Sequence, residues 1–599
     1  MNQEKIRKTY SEIKEQNELL LAGLKKKQLL ISLLRLLVFV GGGILSVIAS
    51  GYSAAGVIFV ILVTLFSFLL LVKKFGDYSD KITITVNLIR INNNEINALE
   101  GDYSAFDGGK NRIDPNHDFS DDIDLFGDDS LFRYLNRTVT GPGRSLLAGW
   151  LSDPYSLREL VPERQKAVGE LAGKLAWRQQ FMANGLDKPL NEEEIEDLNR
   201  WLNETDNFYS SVYMKLSCII LPVAVVTVLL LVIAGVLPII SFVFLFLLNL
   251  MVIGVHIKKS NKVHAMVSQK HIFLSSIGEL IKSFEKEEFT SSLLADVKNK
   301  ISGEEGSVAE KIRKLDTIIW RFDSRLNLFA GLILNGLLLW DFQCIRQLEK
   351  WRGSAASGLP RWLNLIGKVD GLMSFANYAY NNPDHCFPVV IDEGPVLEAF
   401  RMGHPLLKKE TRVDNDFTIP RPGLVIIITG ANMAGKSTFL RTVAVNMVLA
   451  LAGAPVCAEK MRLSPVRLFT SMRTTDSLSR NESYFYAELK RLKTLKEKLE
   501  MRENDFFILD EILKGTNSTD KSTGSRMFLR RLVELGGTGL IATHDISLGD
   551  MEDEFPENIE NKCFEIDIDG ENINFDYKIH DGITRKMNAT LLMKQMGIG

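Results

Sequence analysis

The segment Gly430-Ala431-Asn432-Met433-Ala434-Gly435-Lys436-Ser437-Thr438 reads G-x-x-x-x-G-K-S. It follows the apolar run at 424–428 and leads into a second apolar stretch, which sets the motif between a strand and a helix. There the glycines let backbone N–H groups wrap phosphate oxygens, and the helix N-terminus adds the positive end of its dipole. Lys436 is expected to reach the β- and γ-phosphates of ATP, and Ser437 to ligate Mg²⁺. Downstream, the run Phe506-Phe507-Ile508-Leu509 ends in Asp510-Glu511. A carboxylate pair at the end of an apolar strand suits the other half of such a site, with Asp510 in the Mg²⁺ shell and Glu511 polarising the attacking water. Thr543-His544 follows the next apolar run, 539–542. A histidine at that point can sense or orient the γ-phosphate.

The elements that must hold these groups are legible on either side. Short β-rich runs at 389–391, 424–428, 506–509 and 539–542 alternate with helical patterns. Strands that are apolar throughout predict a parallel sheet covered on both faces. Upstream, from Asp124 to about residue 378, the pattern is helical. Residues 274–284 and 312–348 carry apolar side chains at three- and four-residue spacing, as amphipathic helices do. Residues 80–120 are polar, with Asn92-Asn93-Asn94 and Gly108-Gly109, and predict a linker.

Two apolar blocks stand out. Residues 36–72 and 216–255 contain no charge. As helix they would run about 55 and 60 Å, nearly twice the ~30 Å of a bilayer core. Each has a break near its middle, Gly51-Tyr52-Ser53 in the first and Gly235 through Pro238 in the second. Both predict transmembrane helical hairpins. Lys25, Lys26 and Lys27 precede the first and Lys73 and Lys74 follow it; Lys215 precedes the second and Lys258, Lys259 and Lys262 follow it. Neither tip is charged, so both hairpins are expected to enter and leave on the cytoplasmic side of the cytoplasmic membrane.

The remaining composition excludes other classes. Hydrophobic residues make up 46% and charged residues 24%, and the net charge is −3. That rules out a disordered chain or a small disulfide scaffold, and no global basic field advertises nucleic acid. The local clusters Lys258, Lys259, Lys262 and Lys490, Arg491, Lys493 read as membrane-flanking and solvated helix charges. The five cysteines form no C-x-x-C pair and predict isolated reduced thiols.

Together these residues resemble the MutS family of DNA mismatch-repair ATPases. The phosphate loop is similar, including the Asn432-Met433 pair inside it, as are Asp510-Glu511-Ile512-Leu513-Lys514-Gly515-Thr516-Asn517-Ser518 and Thr543-His544. Ser483-Tyr484-Phe485-Tyr486-Ala487-Glu488-Leu489 resembles the family segment that delivers a serine to the partner's ATP. The resemblance implies that Ser483 acts in trans and that the working ATPase is a homodimer. Upstream it takes in Asp124-Leu125-Phe126 through Pro154, Asp370-Gly371-Leu372 and His404-Pro405. It implies an α/β P-loop ATPase domain of the ABC type following an all-α helical core, with DNA as a partner by family. The chain departs from the family upstream. No Phe-Xaa-Glu, the family's mismatch-reading wedge, occurs in residues 1–400. The second hairpin falls where the family has its lever helices and DNA clamp. Near Arg412, where the family often places an aromatic against adenine, the guanidinium plane is the available surface.

The expected layout is a cytoplasmic N-terminal segment (1–27), a first transmembrane hairpin (28–74), a linker (75–120), the first part of a helical core (121–213), a second hairpin (214–258), the rest of the core (259–385) and the ATPase domain with C-terminal dimerisation helices (386–599).

Overall fold

Two long helices open the chain, α1 (Gln3–Ser50) and α2 (Ala54–Leu99), joined by a tight turn at Gly51-Tyr52. Ser53 caps α2, its Oγ accepting the Gly56 N–H at 3.0 Å, which satisfies one of the orphan donors of the first turn. A Cβ at Gly42 would collide with Thr64, so small residues let the two helices approach closely. The computed structural model describes residues 3–186, 192–203, 212–303, 308–355, 358–473, 484–501, 504–514, 517–569 and 572–584. Four of its helices are long and apolar enough to cross a membrane: these two and a second pair at 216–268.

The linker expected at 75–120 is not what the chain forms up to Leu99, because α2 continues through it. Its Asn-rich stretch is a polar buried face. Asn87 donates to the Ala183 carbonyl at 2.9 Å, Asn92 and Gln179 exchange side-chain hydrogen bonds, and Glu95 pairs with Arg137 at 2.5 Å and accepts from Asn381 at 2.9 Å. Residues 87, 91, 92, 95 and 98 share one helical face. The asparagines read as turn formers only because the surface they bury against is itself polar. The loops that follow are packed, with Phe119, Ile123 and Leu125 in the core.

A helical body follows, including α3 (Gly141–Ser152), α4 (Val161–Gly173) and α5 (Leu175–Leu186). The second long pair is α6 (Val212–Ile233) and α7 (Ile239–Lys286), broken between Ile233 and Ile239 as the Gly235–Pro238 signal suggests. Beyond it lie α8 (Val308–Asp323), α9 (Leu328–Leu338), α10 (Trp340–Ala355) and α11 (Leu359–Asn381). The expected amphipathic run 312–348 is thus three helices. Asn327 caps α9, and Leu339 at φ 50° ends it, with α9 and α10 bent by 79°. Helix α11 holds the body together through buried Asp370, which accepts from the N–H of Thr140 at 2.8 Å, its Oγ1 at 2.6 Å and the N–H of Val139 at 3.1 Å. Burial pushes the Asp370 carboxyl up to about 6.

The C-terminal part carries two sheets. One has the order β10-β9-β4-β8-β7-β6. Strands β4 (Val425–Gly430), β6 (Arg467–Ser471), β7 (Asp505–Asp510), β8 (Thr538–Thr543) and β9 (Ile559–Asp569) run parallel to their neighbours, and β10 (Asn572–Asp581) pairs antiparallel with β9. The parallel expectation therefore holds for the centre and fails at one edge. The other sheet, in the order β1 (Val389–Val390), β5 (Lys460–Leu463), β2, β3, is mostly antiparallel. Its strands β2 (Leu397–Met402) and β3 (Asn415–Ile419) alternate buried and exposed residues, and their polar faces hide them among loops in the sequence.

Candidate nucleotide site

Every residue of β4 is buried, as a central parallel strand requires. The chain leaves it at Gly430, where a Cβ would stand 2.9 Å from the Phe564 carbonyl oxygen. It then passes Met433 at φ 67° and Gly435 at φ 105° before helix α12 (Lys436–Ala452) begins. Glycine enters that left-handed region without a Cβ penalty. The first N–H groups of α12 have no helical partner and point with the dipole into the loop, which suits an anion. The far end of α12 is fixed by Arg164, which donates to the Ala452 carbonyl at 3.1 Å and stacks on Trp150.

The side chains singled out by sequence converge here. Lys436 is 5% exposed and donates to the carbonyls of Gly430 at 2.7 Å and Ala431 at 3.0 Å. Burial pulls its ammonium down to about 8, with Asp510 and Glu511 pulling the other way. Ser437 Oγ donates to Asp510 Oδ2 at 2.6 Å. Two adjacent hard-oxygen donors at the mouth of an anion loop fit a magnesium ion. His544 Nε2 lies 2.7 Å from Glu511 Oε1, and both His544 ring nitrogens are 3.4 Å from Lys436 Nζ. The His544 hydrogen bond holds the Glu511 carboxyl down at about 2, against burial.

The turn after β7 is strained, with Glu511 at φ 52° and Leu513 at φ 61°; such non-glycine conformations cost on the order of 1–3 kcal/mol each and need support. Part of that support comes from Glu488 on helix α13 (Tyr484–Glu500). This carboxylate is 3% exposed and accepts the N–H groups of Leu513 at 2.5 Å and Lys514 at 3.1 Å. The sequence reading placed Glu488 only within the serine segment. A lone glutamate on an amphipathic helix carries no signal of what it holds.

Lys436, Ser437, Glu511 and His544 line one cavity of about 650 Å³, within the usual range for small-molecule sites. Leu407, Val413 and Tyr577 line it as well, with Tyr577 against Gly435. Arg412 does not. Its Nε is held 2.7 Å from Asp414 Oδ1 and it lines a neighbouring cavity instead, so the guanidinium stacking surface is not at the site. The cavity's aromatic side chains among the described residues are Phe439, Phe564 and Tyr577, and nothing in the local sequence of Tyr577, on β10, marks it. Arg491 is likewise committed, donating to the carbonyls of Thr470, His117 and Asp118. Ser483, the Gly515-Thr516 pair and the stretch expected to carry the dimerisation helices beyond residue 584 lie outside the described residues.

Residues 426–596 match MutS domain V, and residues 116–376 match MutS domain III. The chain belongs to the MutS family. It is 31% identical over 241 residues to a DNA mismatch repair protein MutS of Thermotoga petrophila, covering 39% of this chain and 29% of that protein. Against the protein of the same name from Fusobacterium nucleatum it is 29% identical over 266 residues, 43% of this chain and 29% of the relative. Against the DNA mismatch repair protein MutS 2 of Halobacterium salinarum it is 31% identical over 249 residues, 41% and 28% respectively. The chain thus spans under a third of the length of these MutS relatives. The domain V match contains Gly430–Thr438, Asp510, Glu511 and His544, and the domain III match contains α6 through α10. Helices α1 and α2 precede both matches.

Proposed function

We propose that this MutS-family chain is a membrane-anchored P-loop ATPase that binds and hydrolyses ATP with Mg²⁺ as a homodimer, and that its family links it to DNA mismatch repair. The observation that carries the proposal is the convergence of Lys436, Ser437, Glu511 and His544 on one cavity at the N-terminus of α12, with Asp510 hydrogen-bonded to Ser437 behind them. In this reading Lys436 exchanges the carbonyls of Gly430 and Ala431 for β- and γ-phosphate oxygens. The loop N–H groups and the α12 dipole hold the phosphates in place. Ser437 and Asp510 hold Mg²⁺, which neutralises charge developing on the phosphoryl oxygens. Glu511, kept ionised and oriented by His544, polarises the attacking water. Ser483 of the partner subunit would complete the site, as the family resemblance implies.

Membrane anchorage rests on α1–α2 and α6–α7, whose apolar stretches are exposed along their length, with Phe39, Phe59, Phe244 and Met251 all more than half exposed. In water that surface would be an unmanageable patch; in lipid it is the expected exterior. The chain is expected to stay with the membrane fraction through an alkaline carbonate wash and to need detergent for release. Release by carbonate alone would remove the anchor.

A second reading keeps the ATPase but gives it no DNA role, with dimer closure moving the spanning helices. Its support is the clamp between the first hairpin and the body. Tyr10 on α1 donates to Asn381 at 2.8 Å, and Glu95 on α2 pairs with Arg137 and Asn381. The wedge motif is absent from residues 1–400, and discriminating a mismatch by unstacking costs a few kcal/mol that inserted contacts must offset. Matched and mismatched duplexes are therefore expected to bind equally weakly, with affinity collapsing between about 50 and 200 mM salt. Fluorescence anisotropy across a salt series measures this. A preference of about tenfold or more for the mismatched duplex, worth ~1.4 kcal/mol, would place a reading element in this chain and contradict the expectation.

A further inference from the structure

Helix α9 is eleven residues of Leu, Ile, Phe, Ala, Gly and one Asn, and it is bare on one side. Leu328 and Phe329 are 77% and 78% exposed, and Leu332 and Ile333 about half exposed. These residues sit at i, i+1, i+4 and i+5, one continuous face. Gly331, Asn335 and Gly336 are buried, Gly331 against the Arg325 backbone and Gly336, one turn beyond Leu332, against Phe246 of α7. The buried set consists of small or polar residues, the types that let helices pack closely within a membrane.

Contacts at its two ends fix how deep α9 lies against α7. At its start, Arg325 donates to Asn261 at 2.5 Å, beside the lysines 258, 259 and 262 that flank the apolar part of α7. At its far end, a Cβ on Gly336 would collide with the Phe246 ring, and Asn249 donates to the Gly336 carbonyl at 2.9 Å. Asn249 lies ten residues into α7 from Ile239, about 15 Å along a ~30 Å hydrocarbon core. It is the single amide, hydroxyl or charged side chain between Phe242 and Gly254. The Gly336 carbonyl is one of the last four of α9, which have no helical partner. In hydrocarbon such a group must be satisfied by protein, and Asn249 does so. The corner after α9 is closed in the same way. Asn335 Nδ2 donates to Asp341 Oδ1 and the Asp341 N–H donates back to Asn335 Oδ1, both at 3.0 Å.

We infer that α9 is a re-entrant membrane helix: it dips beside α7 from the cytoplasmic surface to about mid-bilayer, turns at Leu339, and presents Leu328, Phe329, Leu332 and Ile333 to lipid hydrocarbon. The flanking helices α8 and α10 are rich in Lys, Arg, Asp and Glu, so the chain leaves on the side it entered. The occupant of the exposed face is acyl chain, because α9 packs beside α6 and α7, whose own exposed side chains are apolar, Val223, Phe244 and Leu247 among them. This inference rests on the membrane reading above and adds a third embedded element to the two hairpins.

The test is thiol accessibility in the full chain reconstituted into lipid nanodiscs. Leu332→Cys and Ile333→Cys are each compared with Phe59→Cys in the first hairpin and with Met501→Cys, 72% exposed in the ATPase half. The probe is a charged, water-soluble maleimide, and rates are normalised to SDS-denatured protein. All four positions are about half exposed or more, so substitution there removes little packing. The inference expects Leu332→Cys and Ile333→Cys to react at least about tenfold more slowly than Met501→Cys, as Phe59→Cys does, since hydrocarbon excludes a charged reagent. Protection at Phe59→Cys with rapid labelling at 332 and 333 overturns the re-entrant helix and leaves the hairpins standing. Rapid labelling at Phe59→Cys as well overturns the membrane reading itself.

Discussion

Lys436→Ala is expected to abolish ATP turnover, lowering it at least about a hundredfold, the usual effect of losing one preorganised charge-stabilising donor. The ammonium is buried and aimed into the loop by two carbonyls, and among the described residues no other lysine or arginine lines the cavity. Nothing else there replaces it as the cation facing the transferring phosphoryl group. Released phosphate from the purified chain, measured with Mg²⁺ and saturating ATP, checks this. Turnover within a few-fold of wild type would remove the loop from the site.

Glu511→Gln is expected to separate binding from hydrolysis. The amide keeps the shape of the side chain and can still meet His544, yet it cannot polarise water, a role worth about 10²–10⁴-fold in rate. Because Lys436, Ser437 and Asp510 are untouched, ATP should still bind and the closed dimer should accumulate. Size-exclusion chromatography in detergent with ATP and Mg²⁺, read beside phosphate release, detects this as a shift to the dimer with turnover lost. A variant that stays monomeric and hydrolyses like wild type would contradict both the role of Glu511 and the closure it is assigned to.

The sequence showed the parts of this protein whose chemistry is local. A phosphate loop is contiguous, so Gly430 through Thr438 could be read without knowing the fold. The strand ends at Asp510-Glu511 and Thr543-His544 were legible because central parallel strands are apolar throughout and stop abruptly at a polar pair. The turns at Gly51 and Gly235–Pro238 were legible because nothing else interrupts the apolar runs. What stayed hidden depends on partners distant in the chain. The extension of α2 through Asn87, Asn92 and Glu95 looks like a loop until Ala183, Gln179 and Arg137 are placed beside it. Glu488 gains its role only when the strained turn at Leu513 is folded against it. Tyr577 reaches the cavity on an antiparallel edge strand that breaks the parallel pattern. Helix α9, eleven residues long, is too short to be marked as a membrane element by length, and its placement against α7 shows only in contacts distant in the chain, Asn249 with Gly336 and Arg325 with Asn261.

The clamp at Glu95, Arg137 and Asn381 bears on how the two halves communicate. Glu95 and Arg137 are each 5% exposed or less, and a buried pair that loses one partner strands the other charge. The first hairpin is therefore fastened to the helical body rather than loosely tethered. The helical body meets α12 through Arg164 and the C-terminal sheet at β6 through Asp122, whose carboxylate accepts from Thr470 and Arg473. On the proposed function, a change of shape at the loop before α12 has a packed route to the first hairpin.

The most direct test of the account is phosphate release by the intact chain in lipid nanodiscs, measured with and without Mg²⁺, with Lys436→Ala in parallel. The account predicts Mg²⁺-dependent release by the wild-type chain that falls to background in the variant. Contradiction would be a folded, nanodisc-embedded wild-type chain that releases no phosphate above background, or one whose release is unchanged by Lys436→Ala.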